Sequence, residues 1–231
     1  MAVTIAAVAA ASLSGCFWLP SCNDPESMEI DGETYVSGFY DGLYVVGISY
    51  RAPETAAFES QYHNWWKVGG ASFEMYCAQN KEALNWTPAV YCRESEFDQA
   101  KAYYTDTANY DYYIGGWEEG APRVKLSEED GTEYAERAMQ CKADVTGGVS
   151  DGHENRLVTV GTENFDWYRA VIYRMSKDGI FTTEQSEWAI YSDNLYVFSG
   201  YDGEKRQATF YRTDEDVSAH MVSLFKEYGL L

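Results

Sequence analysis

The chain has 231 residues, of which 17 are Lys or Arg and 37 are Asp or Glu, for a formal net charge of −20. A surface this acidic excludes a phosphate-tracking role, because nucleic-acid binding draws on Lys and Arg that release counterions, and here the long-range field repels the ligand. It suits solubility outside the cell, divalent cations or a basic partner. Aromatic side chains are the second outlier, at 20 Tyr, 10 Phe and 7 Trp. Such rings fill sheets well and serve equally as ligand platforms, because Tyr and Trp combine large apolar area with a polar tip.

Residues 2–13 are Ala, Val, Ile, Leu, Ser and Thr without a charge. The run is apolar enough for the core of an export signal and too short to span a bilayer, which takes roughly 20 apolar residues. It ends in Leu13-Ser14-Gly15-Cys16, which resembles the lipobox of bacterial lipoproteins. The resemblance covers the first sixteen residues only. It implies removal of a signal peptide over residues 1–15, a diacylglyceryl group on Cys16, and a bacterial membrane anchor holding the rest of the chain outside the cytoplasm. Setting Cys16 aside leaves Cys22, Cys77, Cys92 and Cys141, enough for two disulfides in three connectivities. None has C-x-x-C spacing, so stapling in an oxidising compartment is expected rather than redox chemistry or zinc binding.

Residues 16–33, with Pro20, Asn23, Asp24 and Pro25 and no periodicity, read as the lipidated Cys and a tether. Residues 34–231 are enough for one sizeable domain. Two apolar runs over 34–50 flank Tyr40-Asp41-Gly42, and Asp-Gly supplies the positive φ of a tight hairpin turn. Pro53 opens a helical pattern in which Phe58, Tyr62, Trp65 and Trp66 recur at i, i+4 and i+7/i+8 until Gly69-Gly70, predicting an aromatic-faced helix. Strands are expected over 71–77 and 90–93. Ser95 with Asp98 starts a short helix carrying Phe97, Ala100 and Tyr104 on one face, and 110–114 is a strand ending at Gly115-Gly116. A helix follows over 127–139, with Asp130 in the capping position. Closely spaced strands over 156–160, 168–175, 188–191, 195–199 and 207–212 predict an antiparallel meander. Thr213 caps a last helix with Val217, Met221, Leu224 and Tyr228 on its buried side. The resulting expectation is a single α+β domain, a largely antiparallel sheet with three to four helices packed on one face.

Chemistry is less legible. His63, His153 and His220 lie far apart, with no H-E-x-x-H, G-x-S-x-G or S-x-x-K motif. For calcium, the tightest oxygen set is Asp106, Asn109 and Asp111, with Asp151-Gly152-His153-Glu154 second. Neither has EF-hand spacing, so no cofactor is expected and calcium is the alternative. The ligand-like feature is aromatic: Tyr103, Tyr104, Tyr110, Tyr112, Tyr113 and Trp117 interleave with acids, and Trp65 and Trp66 add two more rings. Packed, they are core; open, they offer stacking surface for a sugar or a cationic peptide. A non-catalytic, membrane-anchored binding lipoprotein for a carbohydrate or peptide therefore leads. An envelope hydrolase using Asp or Glu, or a structural or inhibitor lipoprotein, stands as the alternative.

Overall fold

A computed structural model describes residues 25–40, 44–45, 56–81, 89–118, 120–146, 156–161, 167–183 and 188–231. The signal, Leu13-Ser14-Gly15-Cys16, Cys22, the Asp41-Gly42 turn, Pro53 and Asp151-Gly152-His153-Glu154 lie outside the described residues. In chain order the elements are β1 (Ser27–Ile30), β2 (Glu33–Val36), β3 (Tyr44–Val45), β4 (Phe58–Glu59), β5 (His63–Lys67), β6 (Met75–Asn80), β7 (Ala89–Arg93) and α1 (Phe97–Thr105). There follow β8 (Tyr110–Gly116), β9 (Arg123–Lys125), α2 (Glu128–Asp130), a π turn over Gly131–Ala135, α3 (Glu136–Thr146), β10 (Leu157–Gly161) and β11 (Tyr168–Ser176). The chain closes with β12 (Phe181–Thr182), β13 (Trp188–Tyr191), β14 (Asn194–Asp202), β15 (Gln207–Arg212) and α4 (Glu215–Glu227).

These elements overturn the α+β expectation. The described residues are largely β, in mostly antiparallel sheets, with helix confined to a few short segments. The chief error is the helix read from Pro53 onward. Its aromatic residues form the antiparallel pair β4–β5, with Phe58 opposite Trp65. The spacing that fits a helix stripe here spans a turn, with Phe58 on β4, Tyr62 between the strands, and Trp65 and Trp66 adjacent on β5. Trp65 and Trp66 are both buried because adjacent strand residues point to opposite faces and here both faces are covered.

The chain divides into two compact units, one within Met1–Asn109 and Ser176–Thr182, the other Tyr110–Met175 and Thr183–Leu231. The first is built on an antiparallel sheet in the order β1-β2-β7-β6-β5-β4. The β1–β2 hairpin turns at Asp31-Gly32, both at positive φ, where glycine is at ease and Asp is tolerated. One face of this sheet packs Met28, Ile30, Tyr35, Trp65, Ala78 and Tyr91. The other places Trp66, Met75, Cys77, Val90 and Cys92 against Phe39, against Ala100 and Tyr104 of α1, and against Ile180 and Phe181. Asp178 ties this layer together. Its carboxylate accepts from Ser176 Oγ at 2.6 Å and Ile180 N at 3.2 Å, and from Tyr104 Oη at 2.6 Å and Ser72 N at 3.1 Å.

In the second unit β10, β15, β14, β13 and β11 lie side by side, and β8 joins β11 and β9. The unit's helices meet one side of this sheet. Ser218 Oγ on α4 accepts from Leu195 N at 2.7 Å, Phe225 lies edge-on to Tyr168, and the π turn sits on Tyr112, with Gly131 against its ring. The 127–139 helix thus runs longer than expected and carries a π turn where the ring intrudes. Ser127 caps it by accepting from Asp130 N at 3.0 Å. The last helix begins one residue later than expected, after Asp214, because Thr213 is buried and donates its hydroxyl to Leu195 O. Tyr228, expected on the buried side, is 40% exposed. Among the described residues no helix is long and apolar enough to cross a membrane.

Candidate ligand-binding face

Most of the aromatic residues singled out in the sequence are structural. Trp65, stacked on Phe58, and Trp66 belong to opposite layers of the first unit. Tyr104 is 1% exposed and donates to Asp178, and half-buried Tyr103 meets Phe73 and Tyr104 edge-on. In the second unit Tyr112 is buried and donates to Glu136 Oε2 at 2.9 Å. Arg174 Nη1 reaches the same carboxylate at 2.9 Å while its guanidinium lies over Tyr110. Burial, reinforced by the Glu136 charge, pushes the Tyr112 hydroxyl pKa upward. Tyr113 and Trp117 remain from that set, and both point the other way.

The register shows where. Arg169 of β11 is opposite Ala189 of β13 and Ala189 is opposite Tyr196 of β14, whereas Tyr168 is opposite Ile190 and Ala170 opposite Trp188 on the helix side. Strand alternation then places Arg169, Val171 and Tyr173 on the side away from the helices. The Tyr173 ring stacks on Tyr113 of β8 at 5.2 Å and 12°. In β9, Lys125 is opposite Tyr113 and Arg123 opposite Gly115, so these side chains share that face. A Cβ on Gly115 would sit 2.8 Å from Arg123 Cδ, and one on Gly116 2.8 Å from the Tyr168 hydroxyl. The two glycines expected to end the strand are the last two residues of β8, and the bare backbone at Gly115 lets Arg123 lie flat across it. Arg123 Nη1 donates to Gly116 O, and to Ala121 O at 3.3 Å. Trp117 N donates to Arg169 O at 3.0 Å, and the Arg169 guanidinium lies 4.5 Å from the Trp117 ring centroid.

The face continues toward β10. Tyr191 stacks on Trp167 at 4.9 Å and 11°, and Trp167 also meets Tyr196 and Phe210. A register shift between Phe198 and Gly200 puts Tyr201 opposite Ala208, on the side of Phe210 and Val160. Trp117, Tyr191 and Tyr201, at 39%, 47% and 56% exposure, are therefore the most open rings of one sheet face. Sequence reasoning found Trp117 and Tyr113 and missed Trp167, Tyr173, Tyr191, Tyr201, Arg123 and Arg169. The alternation of 189, 191 and 169, 173 was visible, but not which side the helices leave uncovered.

The acid sets behave otherwise. Asp106 Oδ1 accepts from Ala108 N at 3.0 Å, Asn109 Nδ2 donates to Tyr103 O at 3.0 Å, and Asp111 pairs with Lys125 at 2.7 Å. No cluster of three metal-ligating His, Cys, Asp or Glu side chains occurs among the described residues. His220 stacks on Tyr134 at 3.7 Å and meets Asp130 at 2.7 Å, a clasp between α4 and α2. Glu74, Asp130, Asp178, Asp202 and Asp216 all have lowered pKa values. The main downward causes are hydrogen bonds from Lys67 to Glu74, from Ser127 and His220 to Asp130, and from Arg137 to Asp216. A carboxyl acting as general acid needs the opposite shift.

Cys77 and Cys92 lie on neighbouring strands and share a face: Met75 is opposite Cys92 and Cys77 opposite Val90, a diagonal relation. No disulfide joins two of the described cysteines. Burial pushes the Cys92 thiol up to about 12.

No protein-family model, curated protein or solved structure matches the chain.

Proposed function

We propose that this chain is an exported, lipid-anchored, non-catalytic binding module that holds a carbohydrate on the helix-free sheet face of its second unit. The observation that carries the reading is the placement of Trp117, Tyr191 and Tyr201 on one sheet face, each at least 39% exposed. Flat rings standing open on one rigid sheet face match the apolar C–H faces of sugar units, and they cost little conformational entropy to order. A binding role is preferred to hydrolysis because every carboxylate shift among the described residues runs away from that of a general acid. The anchor rests on Leu13-Ser14-Gly15-Cys16.

The test is calorimetric titration of the full-length protein in detergent micelles with a panel of neutral and acidic oligosaccharides. Trp117→Ala and Tyr191→Ala should each weaken binding about three- to tenfold, the worth of one aromatic contact. Absence of saccharide binding, or binding indifferent to both substitutions, refutes the reading. Intact mass of membrane-extracted protein should show loss of residues 1–15 and added acyl mass on Cys16, and an unmodified Met1 species refutes the anchor.

A further inference from the structure

We infer that the carbohydrate taken by this face is anionic, carrying uronate-type carboxylates that Arg123 and Arg169 receive on either side of Trp117. The inference rests on the carbohydrate-binding reading above and names its ligand class.

Acids outnumber bases by 37 to 17, so carboxylate partners for a guanidinium are plentiful in this chain. Arg93 has Glu74, Arg137 has Asp216, Arg156 has Asp214 and Arg174 has Glu136. Arg123 and Arg169, like Arg212, have no such partner: among the described residues none of the three lies within 4.0 Å of a carboxylate oxygen, and of these only Arg123 and Arg169 flank Trp117. Both are exposed, and both converge on the Gly116–Trp117 peptide. Arg123 donates to the Gly116 carbonyl from one side, and Trp117 N donates to the Arg169 carbonyl on the other.

Their attachments leave donors to spare. A guanidinium stacked on an indole keeps its in-plane N–H edge open, so Arg169 can grip a carboxylate while Trp117 holds it flat. Arg123 spends Nη1 on the two carbonyls, leaving Nε and Nη2. Two planar forks beside an exposed ring fit a sugar that presents a C–H face to the indole and a carboxylate at its rim. The overall charge of −20 argues against a dense polyanion, which the long-range field repels, and for one carboxylate per sugar.

The experiment titrates the full-length protein with trigalacturonate and with its methyl ester, which keeps the sugar rings and removes the charges. The acid should bind about tenfold or more tighter than the ester, as one or two charge-assisted contacts imply, and added salt should narrow the gap. Arg123→Gln and Arg169→Gln should each lower the acid-to-ester affinity ratio, whereas Trp117→Ala should weaken both ligands and leave the ratio in place. Arg169→Lys, which keeps the charge and loses the fork, should give an intermediate preference. Circular dichroism checks folding of each variant, and the acid-to-ester ratio of the unmodified protein decides the matter even where a variant fails to fold. Equal affinity for acid and ester overturns the anionic inference and leaves the carbohydrate reading standing. If neither trimer nor any neutral saccharide binds, the carbohydrate reading itself falls, and the inference with it.

Discussion

Gly131→Ala should destabilise this protein, against the usual direction for a helical glycine. In an unobstructed helix interior the change gains about 1 kcal/mol, because glycine gives up the most backbone entropy. Here a Cβ would lie 2.5 Å from Cδ2, 2.9 Å from Cγ and 3.1 Å from Cβ of Tyr112. The ring has no easy retreat, since Tyr112 is 3% exposed and its hydroxyl is held by Glu136. Overpacking of this kind costs about 1–3 kcal/mol, so the net effect is a loss of up to about 2 kcal/mol and a midpoint lowered by up to several degrees. Thermal and urea unfolding followed by circular dichroism measure it. The same substitution made on a Tyr112→Ala background has no ring to strike and should stabilise, so the cycle yields a coupling of about 1–3 kcal/mol. A higher midpoint for Gly131→Ala alone, or the same sign in both backgrounds, refutes the account.

Asp178→Asn should cost about 2–4 kcal/mol, because the amide turns donors toward hydroxyl and N–H groups that already donate. Burial raises the Asp178 pKa, but the four hydrogen bonds outweigh it and hold the carboxyl below its ordinary value. Its contribution is therefore present in full above the unfolded value near ~4 and lost as pH falls through the lowered folded value. Urea midpoints measured from pH 6 to pH 2 should fall more steeply for the unsubstituted protein than for Asp178→Asn, and parallel curves would sink the assignment. Cys92 should resist iodoacetamide at pH 8 until guanidinium is added, since its thiol is buried and raised to about 12; peptide mapping that finds it alkylated within minutes in the folded state refutes this. Trp65→Ala and Trp66→Ala should each cost about 3–5 kcal/mol, since each empties a different core layer. A near-neutral result for either in urea unfolding would revive the helix in place of β5.

Local sequence determined what local forces decide. The strands over 156–212 were legible because their alternation and their Lys177-Asp178-Gly179 and Ser192-Asp193-Asn194 turns are short-range signals, and the structure has β10, β11, β13, β14 and β15 there. α1 and α4 were legible from their apolar spacing, to within a residue or two at the start. Charge set an expectation against a nucleic-acid surface, and Leu13-Ser14-Gly15-Cys16 set an expectation of export at residues outside the described ones. Tertiary structure decided the rest. The aromatic spacing from Phe58 to Trp66 fits a helix stripe, and only sheet pairing with covered faces made it β4–β5. Of the rings proposed for a ligand, Tyr113 and Trp117 reached the face built here, while Trp65, Trp66, Tyr104 and Tyr112 went to the core. Arg123 and Arg169 are 46 positions apart in the chain, and strand pairing brings both beside Trp117. Periodicity tells which residues share a side of an element, but whether that side is buried or open depends on what distant chain packs against it, and no local pattern encodes that.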